Sequence, residues 1–258
     1  MGLKPPPPTH VAITGAGSGI GAALARHYAR PGIRLSLLGR NTARLEGIAA
    51  QCRARGADVV LRSDDVTDAD SMAAWLTACD DSHPVDLIIA NAGIGGDQVL
   101  AGSTGETLAT ANRIVMTNVQ GVINSIVPLL PRLTARRKGA IVITSSLAGF
   151  IALGDSPVYC ASKAAVRMYG LALCRLMAPH GITVTVASPG FIDTPMSASL
   201  NKKLPFLWTA ERAASHIAAG VARGARDLAF PWQMALAVRL AALLPQQLVD
   251  KILKSVGA

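Results

Sequence analysis

Short, apolar, β-rich runs alternate with longer stretches of helical periodicity along most of this chain, and few architectures accept that order. His10–Thr14 (HVAIT) reads as a strand, followed by a glycine-rich turn and a helix to about Arg30. Ile33–Leu38, Ala57–Leu61, Val85–Ala90, Ala140–Thr144 and Ile182–Ala187 read as further strands. Thr42–Arg55, Asp68–Cys79, a long stretch over about 104–136 and Pro157–Ala178 read as the helices between them. Val85–Ala90 is apolar almost throughout, as a strand buried on both faces must be. Repeated strand–helix units connect right-handedly, so the predicted fold is α/β: a doubly wound, mostly parallel sheet in a single domain. Its expected bounds are 9–230, after a flexible proline-rich lead at 1–8 and before a helical extension at 231–258.

Composition narrows the function classes. Half of the 258 residues are apolar and 16% are charged, which excludes a disordered, solvating chain. Lys and Arg number 25 against 16 Asp and Glu, a formal charge of +9. Such an excess suits nucleic acid, an anionic membrane surface or an anionic ligand such as a phosphorylated cofactor. The tightest basic group, Arg132/Arg136/Arg137/Lys138, sits at a helix C-terminus, where cations complement the dipole, and no nucleic-acid-binding motif accompanies it. Nucleic acid is therefore not an expected partner. Cys52, Cys79, Cys160 and Cys174 form neither a CxxC pair nor a zinc-ligand spacing, so no metal is expected and a reducing, cytoplasmic setting is. The N-terminal MGLKPPPPTH lacks the apolar core of a secretory signal, and no uninterrupted apolar run reaches the length of a membrane span.

In open α/β sheets ligands bind beyond the carboxyl ends of the strands, and the motifs fall there. The first strand runs into Thr14-Gly15-Ala16-Gly17-Ser18-Gly19-Ile20-Gly21, where a helix begins. A GxGxxG pattern does not fit, because Ile20 takes its third glycine; TGxxxGxG does, with Gly15, Gly19 and Gly21. Glycines let backbone approach a ligand, and the helix N-terminus after them offers free N–H groups to a pyrophosphate, with Ser18 and Ile20 in the same turn. After the second strand comes Arg40, with no acid between Gly32 and Arg44. An acid there would bind a ribose 2′-hydroxyl, whereas Arg suits a 2′-phosphate, so NADP is the expected cofactor, contacted by Arg40. The acid-rich stretch Asp64–Asp70 lacks the glycine and glutamate spacing of a calcium loop.

Thr14–Gly21, Asn91-Ala92-Gly93, Ser146, Tyr159-x-x-x-Lys163 and Pro189-Gly190 follow in order, and on them the chain resembles the short-chain dehydrogenase/reductase family from about residue 9 to 230. The resemblance implies a Rossmann fold and an NADP-dependent oxidoreductase that interconverts a carbonyl and a secondary alcohol. Tyr159 and Lys163, four apart, share a helix face. By resemblance Tyr159 is the acid/base, Lys163 lowers its pKa and holds the nicotinamide ribose, and Ser146 hydrogen-bonds the reacting oxygen. Ser146 is preferred to Ser145 because Ser146-Leu147-Ala148-Gly149 matches the family's SxxG. Asn118 matches the helix Asn that supports a proton-relay water. The cofactor set implied adds Asp65 and Val66 at the adenine, Asn91, Ala92 and Gly93, and Pro189, Ile192 and Thr194 near the nicotinamide. Two other readings stay open: a non-catalytic NADP-binding regulator on the same fold, and an NAD-preferring dehydrogenase.

Two segments bear on substrate and partners. Met196–Trp208 reads as a lid with Leu200, Leu204, Phe206 and Leu207, and Phe150, Ile151 and Leu153 add an apolar rim, so a small hydrophobic carbonyl or alcohol substrate is expected. From Pro231, the residues Trp232, Leu236, Leu240, Leu243 and Leu244 share helical spacing; after Pro245, Leu248, Val249, Ile252 and Leu253 continue, with Lys251 and Lys254. That stripe suits a helix packed over the site or core, a subunit interface in a homodimer or homotetramer, or a basic amphipathic helix on an anionic membrane.

Overall fold

The computed structural model describes residues 4–95, 106–198 and 204–255, with side chains through Lys251. In chain order the first half contains β1 (His10–Thr14), α1 (Gly19–Tyr28), β2 (Arg34–Gly39), α2 (Thr42–Arg53), β3 (Asp58–Ser63), α3 (Ala69–Ser82), β4 (Leu87–Ala90), α4 (Leu108–Val115), α5 (Gly121–Ile126) and α6 (Leu130–Arg136). The second half contains β5 (Gly139–Thr144), α7 (Pro157–Met177), β6 (Ile182–Pro189), β7 (Ile192–Asp193), α8 (Pro195–Ala198), β8 (Trp208–Thr209), α9 (Ala210–Ala222), β9 (Asp227–Phe230), α10 (Trp232–Ala241) and α11 (Gln246–Ser255).

Seven strands form one parallel sheet in the order β3-β2-β1-β4-β5-β6-β9. The order reverses between β1 and β4, the switch point at which such sheets open a crevice. The central strands β1, β4, β5 and β6 are buried along their whole length, and the edge strand β3 is mostly not. Burial on both faces follows from two apolar clusters. One joins α1, α2 and α9 to the sheet through Leu24, Leu45 and Ile217. The other joins α3, the helices after β4 and α7 through Leu76, Ile126 and Leu173. The predicted doubly wound, single-domain α/β fold is the one observed.

The differences are local. The sequence reading missed β9, a four-residue strand (DLAF) too short and too evenly mixed in burial to stand out. The stretch expected to be one helix runs from Leu108 to Arg136, but α4 and α5 are joined by a π-turn at Met116–Gln120 and α5 and α6 by a 3₁₀ turn at Val127–Leu129. Pro128 and Pro131, which lack an N–H, account for the tightening before α6. That composite helix is long and apolar enough to cross a bilayer, contrary to the reading by uninterrupted runs. Half of its most apolar 18-residue window is buried, and Val122, Ile126, Leu129 and Leu133 pack in the second cluster, as in a core helix.

The basic cluster and the acid-rich stretch resolve into ion pairs and caps. Arg132 and Arg136 bridge Asp80 at 3.2 and 2.7 Å, Arg132 also reaches Asp81, and Lys138 reaches Asp86 at 3.3 Å. The guanidinium of Arg136 offsets the desolvation of nearly buried Asp80 and holds its carboxyl below the usual range. Asp68 caps α3, accepting from the Ser71 N–H, and Asp64 pairs with Arg62 and Ser71. All four cysteines are free and buried.

Pro245 does separate two helices. Their packing narrows the three options for the stripe, since it does not face the core. Trp232, Leu236, Leu240, Leu243 and Leu244 face outward, and α10 is held to the protein by its other side, through Met234, Ala235 and Val238. Ile252, Leu253 and Lys254 lie beyond the described side chains, as does the lid segment around Leu200.

Candidate active site

A cleft of about 950 Å³ opens at the carboxyl ends of the strands, over the switch point. Its floor is the turn after β1. Gly15 and Gly19 sit at φ +68° and +52°, where a side chain is strained, and a Cβ on Gly15 would lie 2.8 Å from Ala92 Cα. Gly21 does not line the cleft. A Cβ there would run into the Gly15 carbonyl oxygen, so its bareness lets the first turn of α1 close under the loop. Ser18 is the extended N-cap residue of α1, and Ser18, Gly19 and Ile20 all border the cleft.

Asn91-Ala92-Gly93 follows β4 and ties three strand ends together. The N–H groups of Asn91 and Ala92 donate to Thr14 Oγ1 at 3.2 Å each. Asn91 Nδ2 donates to the Thr14 and Gly15 carbonyls, and Thr144 Oγ1 donates to Asn91 Oδ1. The glycine turn is thus anchored from β1 across to β5.

Arg40, just past β2, lies at one end of the cleft, 3.7 Å from Asp65 Oδ2. Both partners are largely exposed, so the pair is weak and available for exchange. The other oxygen of Asp65 accepts from the Thr67 N–H, and Val66 borders the cleft beside it. Arg44 also lines this end, a residue the sequence reading passed over. Its place in the first turn of α2 is set by the Asn41 cap, whose Oδ1 accepts from the Arg44 N–H at 2.9 Å. The spacing Arg40-x-x-x-Arg44 was the available signal.

At the other end stand Ser146, Tyr159 and Lys163. Ser146 follows β5 and Tyr159 and Lys163 lie on α7. The choice between the two serines is visible in their hydroxyls. Ser145 is buried and donates to the Lys163 carbonyl at 2.8 Å, whereas Ser146 Oγ accepts from the nearby Ala148 N–H and stays beside Tyr159. Desolvation raises the Tyr159 phenol above its ordinary 10.0, while the Ser146 hydroxyl pulls the other way. Lys163 is 4% exposed, its Nζ lies 5.7 Å from the Tyr159 ring centre and donates to the Thr144 carbonyl at 3.1 Å. Desolvation lowers its pKa to about 8.

Asn118 does not reach the cleft. It sits fully buried in the π-turn, accepts from the Ile94 N–H at 2.8 Å, and donates to the Ile94 carbonyl and to Ser162 Oγ at 3.0 Å. Ser162 donates in turn to the Tyr159 carbonyl. The side chain thereby locks the segment that follows β4 against the helix carrying Tyr159; π-turns of this kind recur where a helix is adapted for function.

Pro189, Ile192 and Thr194 complete the cofactor side, and the Thr194 methyl would lie 3.0 Å from a Cβ on Gly19. Beyond Ser146 the wall is mostly apolar, with Ile151, Leu153, Phe191 and Met196 among Asp155, Ser156 and Ser197, and Pro205, Met234 and Val238 closing it. The sequence reading had Ile151, Leu153 and Met196 but not the two α10 residues. Phe150, expected on the rim, instead stacks under the Arg167 guanidinium at 3.9 Å.

Comparison with known proteins agrees with this arrangement. A sequence model described as short chain dehydrogenase matches residues 9–205. An uncharacterized oxidoreductase of Myxococcus xanthus is 35% identical over 239 residues, covering 92% of this chain and 93% of that protein. A 2,5-dichloro-2,5-cyclohexadiene-1,4-diol dehydrogenase of Sphingobium indicum is 30% identical over 197 residues, covering 73% and 74%. A short-chain dehydrogenase from Sphingobium yanoikuyae, solved in complex with NADPH, superposes with a TM-score of 0.78 at 27% identity over 95% of each chain.

Proposed function

This chain belongs to the short-chain dehydrogenase/reductase family of oxidoreductases, and on that premise we propose that it interconverts an apolar ketone and its secondary alcohol with NADP. The observation that carries the reading is one cleft with two arginines at one end, Ser146, Tyr159 and Lys163 at the other, and a glycine cradle between them. The cradle fits a dinucleotide: a bare Gly15 lets the turn close against Ala92, and the Gly19 turn presents the N-terminus of α1 toward a pyrophosphate. Gly15, Ser18, Gly19 and Ile20 would hold that group, Arg40 and Arg44 the 2′-phosphate, Asp65 and Val66 the adenine, and Asn91, Ala92, Gly93, Pro189, Ile192 and Thr194 the nicotinamide side. When bound, the nicotinamide supplies or accepts the hydride.

The chain's own part is proton handling and orientation. Tyr159 gives a proton to the carbonyl oxygen in reduction and takes it from the hydroxyl in oxidation. Ser146, hydrogen-bonded beside Tyr159 in the cleft, donates to the same oxygen and fixes the carbonyl. Lys163 places a positive charge by the phenol and favours its ionised form. Asn118 acts as a positioning residue through Ser162 and Ile94.

Cofactor choice is the sharpest test. Steady-state kcat/KM over a panel of aryl and alkyl ketones should favour NADPH over NADH. Arg40→Asp should lower that ratio roughly 100-fold, the scale of one or two charge-assisted contacts turned repulsive. A wild-type preference for NADH, or a ratio unmoved by the substitution, would refute the NADP assignment. The apolar far wall supports a hydrophobic substrate, and a preference for polyols in the same panel would count against it.

The four buried, unpaired thiols support a reducing, cytoplasmic setting, which thiol titration and fractionation of the native host would check. Leu108 and Val115 of α4 and Met168 and Leu176 of α7 are exposed large apolar side chains on neighbouring helices, and they support a homodimer or homotetramer. Sedimentation should show an oligomer that Met168→Lys/Leu176→Lys dissociates; a monomeric wild type would remove that reading.

A further inference from the structure

We propose that the outer face of α10 and α11 docks on an anionic lipid bilayer and brings the mouth of the cleft to its surface. Trp232, Leu236 and Leu240 recur every four residues along α10, Leu243 follows in the turn and Leu248 in α11, and every one is exposed, Trp232 by 69% and Leu243 by 81%. The inner face cannot exchange with it. Ala235 and Val249 are buried, Met234 and Val238 wall the cleft, and Arg239 is tied to Asp227 at 3.2 Å. Asp227 Oδ2 is also bridged by Arg167 of α7 at 2.7 Å, so α10 is clamped to the helix that carries Tyr159. The stripe is therefore presented permanently.

Three observations favour lipid over a protein partner. The stripe is a row of exposed leucines with a tryptophan at one end, a composition that enters the headgroup boundary. Its helices carry Arg239, Lys251 and Lys254 against one acid, Asp250, and Arg239 shares the single carboxylate of Asp227 with Arg167, so that cluster keeps a net positive charge on a chain of +9. An anionic surface complements that charge. Next in sequence to Pro205, which lines the cleft with Met234 and Val238, Phe206 and Leu207 are apolar and exposed too. A bilayer against this end would deliver a membrane-dissolved ketone or alcohol to the apolar wall. That last step rests on the oxidoreductase reading; the docking does not.

Flotation of the full-length protein with vesicles of phosphatidylcholine and phosphatidylglycerol tests it. The wild type should float with mixed vesicles, at least about tenfold more than with pure phosphatidylcholine, and 0.5 M salt should release it, as for basic amphipathic helices generally. Leu236→Glu/Leu240→Glu should abolish flotation while circular dichroism and NADPH oxidation with a water-soluble ketone stay unchanged. Trp232→Phe should remove the blue shift of tryptophan emission on vesicles. Absence of flotation, flotation undiminished in the double variant, or an oligomer that the double variant dissociates would each overturn the docking, the last by showing that a second copy covers the stripe. Failure of NADP-linked turnover would sink the proposed function and leave the vesicle result standing.

Discussion

Replacing Tyr159 with Phe should leave the cofactor bound and lower turnover by about three orders of magnitude, within the range that positioned acid/base groups supply. The substitution removes one oxygen and keeps the ring, so the packing of α7 over β5 is undisturbed and Lys163 keeps its contact with the Thr144 carbonyl. What goes is the cleft phenol whose ring centre lies 5.7 Å from the buried Lys163 ammonium. Cofactor affinity, read by fluorescence titration, should change less than about threefold, because the glycine cradle and Arg40 lie at the far end. The pH profile carries the same argument. Burial holds the phenol protonated through neutral pH, ready to give its proton to a carbonyl oxygen. As pH passes about 8, Lys163 loses its charge and the phenol becomes a weaker acid. Wild-type reduction should therefore be level through neutrality and decline above that point. A variant that retains turnover, or one that loses cofactor binding along with it, would remove Tyr159 from its assigned role.

How much of this site could be read from sequence depended on whether the information was local. Gly15 and Gly19 were legible because the absence of a side chain is itself the signal, and the structure puts both at positive φ. Tyr159 and Lys163 were legible from a spacing of four on one helix. Arg44 was not, since its value comes from the approach of α2 to the loop at Gly17, where the Arg44 Cβ would lie 3.6 Å from a Cβ on that glycine. Asn118 was placed correctly on the long helix, but its work is through buried contacts to Ile94 and Ser162 that no spacing displays. The C-terminal stripe shows the opposite failure. Helical periodicity identified one face of α10 and could not say which way it points. Small Ala235 with Met234 and Val238 outcompeted the bulkier leucines for the protein side, because the cleft wall had room for them. Strand β9 was lost for want of length, and with it Asp227, the anchor of α10.

Lys163→Met should inactivate the enzyme by roughly 1,000-fold and, at neutral pH, make the cofactor-free protein more stable. The ammonium is 4% exposed and donates to one carbonyl, with no carboxylate against it, which is a costly way to bury a charge. Burial lowers its pKa from 10.5 to about 8. At 1.36 kcal/mol per pH unit that gap corresponds to roughly 3 kcal/mol of destabilisation when the group is charged. Methionine is unbranched and apolar, fills the same channel and gives up one hydrogen bond worth about 1 kcal/mol, leaving a net gain of about 2 kcal/mol. The sign with pH follows from proton counts. Below about 8 the folded and unfolded states both hold the proton, and the penalty is present in full. Between about 8 and 10.5 only the unfolded state holds it, so wild-type stability rises with pH and the penalty disappears. The advantage of the Met variant in urea melts should accordingly be largest at pH 7, fall to zero near pH 9.5 and become a deficit of about 1 kcal/mol above pH 10.5, where only the lost hydrogen bond remains. A variant less stable than wild type at pH 7, or a difference that does not change with pH, would show that Lys163 is not held as an unpaired buried cation. The opposite effects on stability and turnover are what a charge kept for chemistry predicts, since selection for packing alone would have placed an apolar side chain at this point of α7.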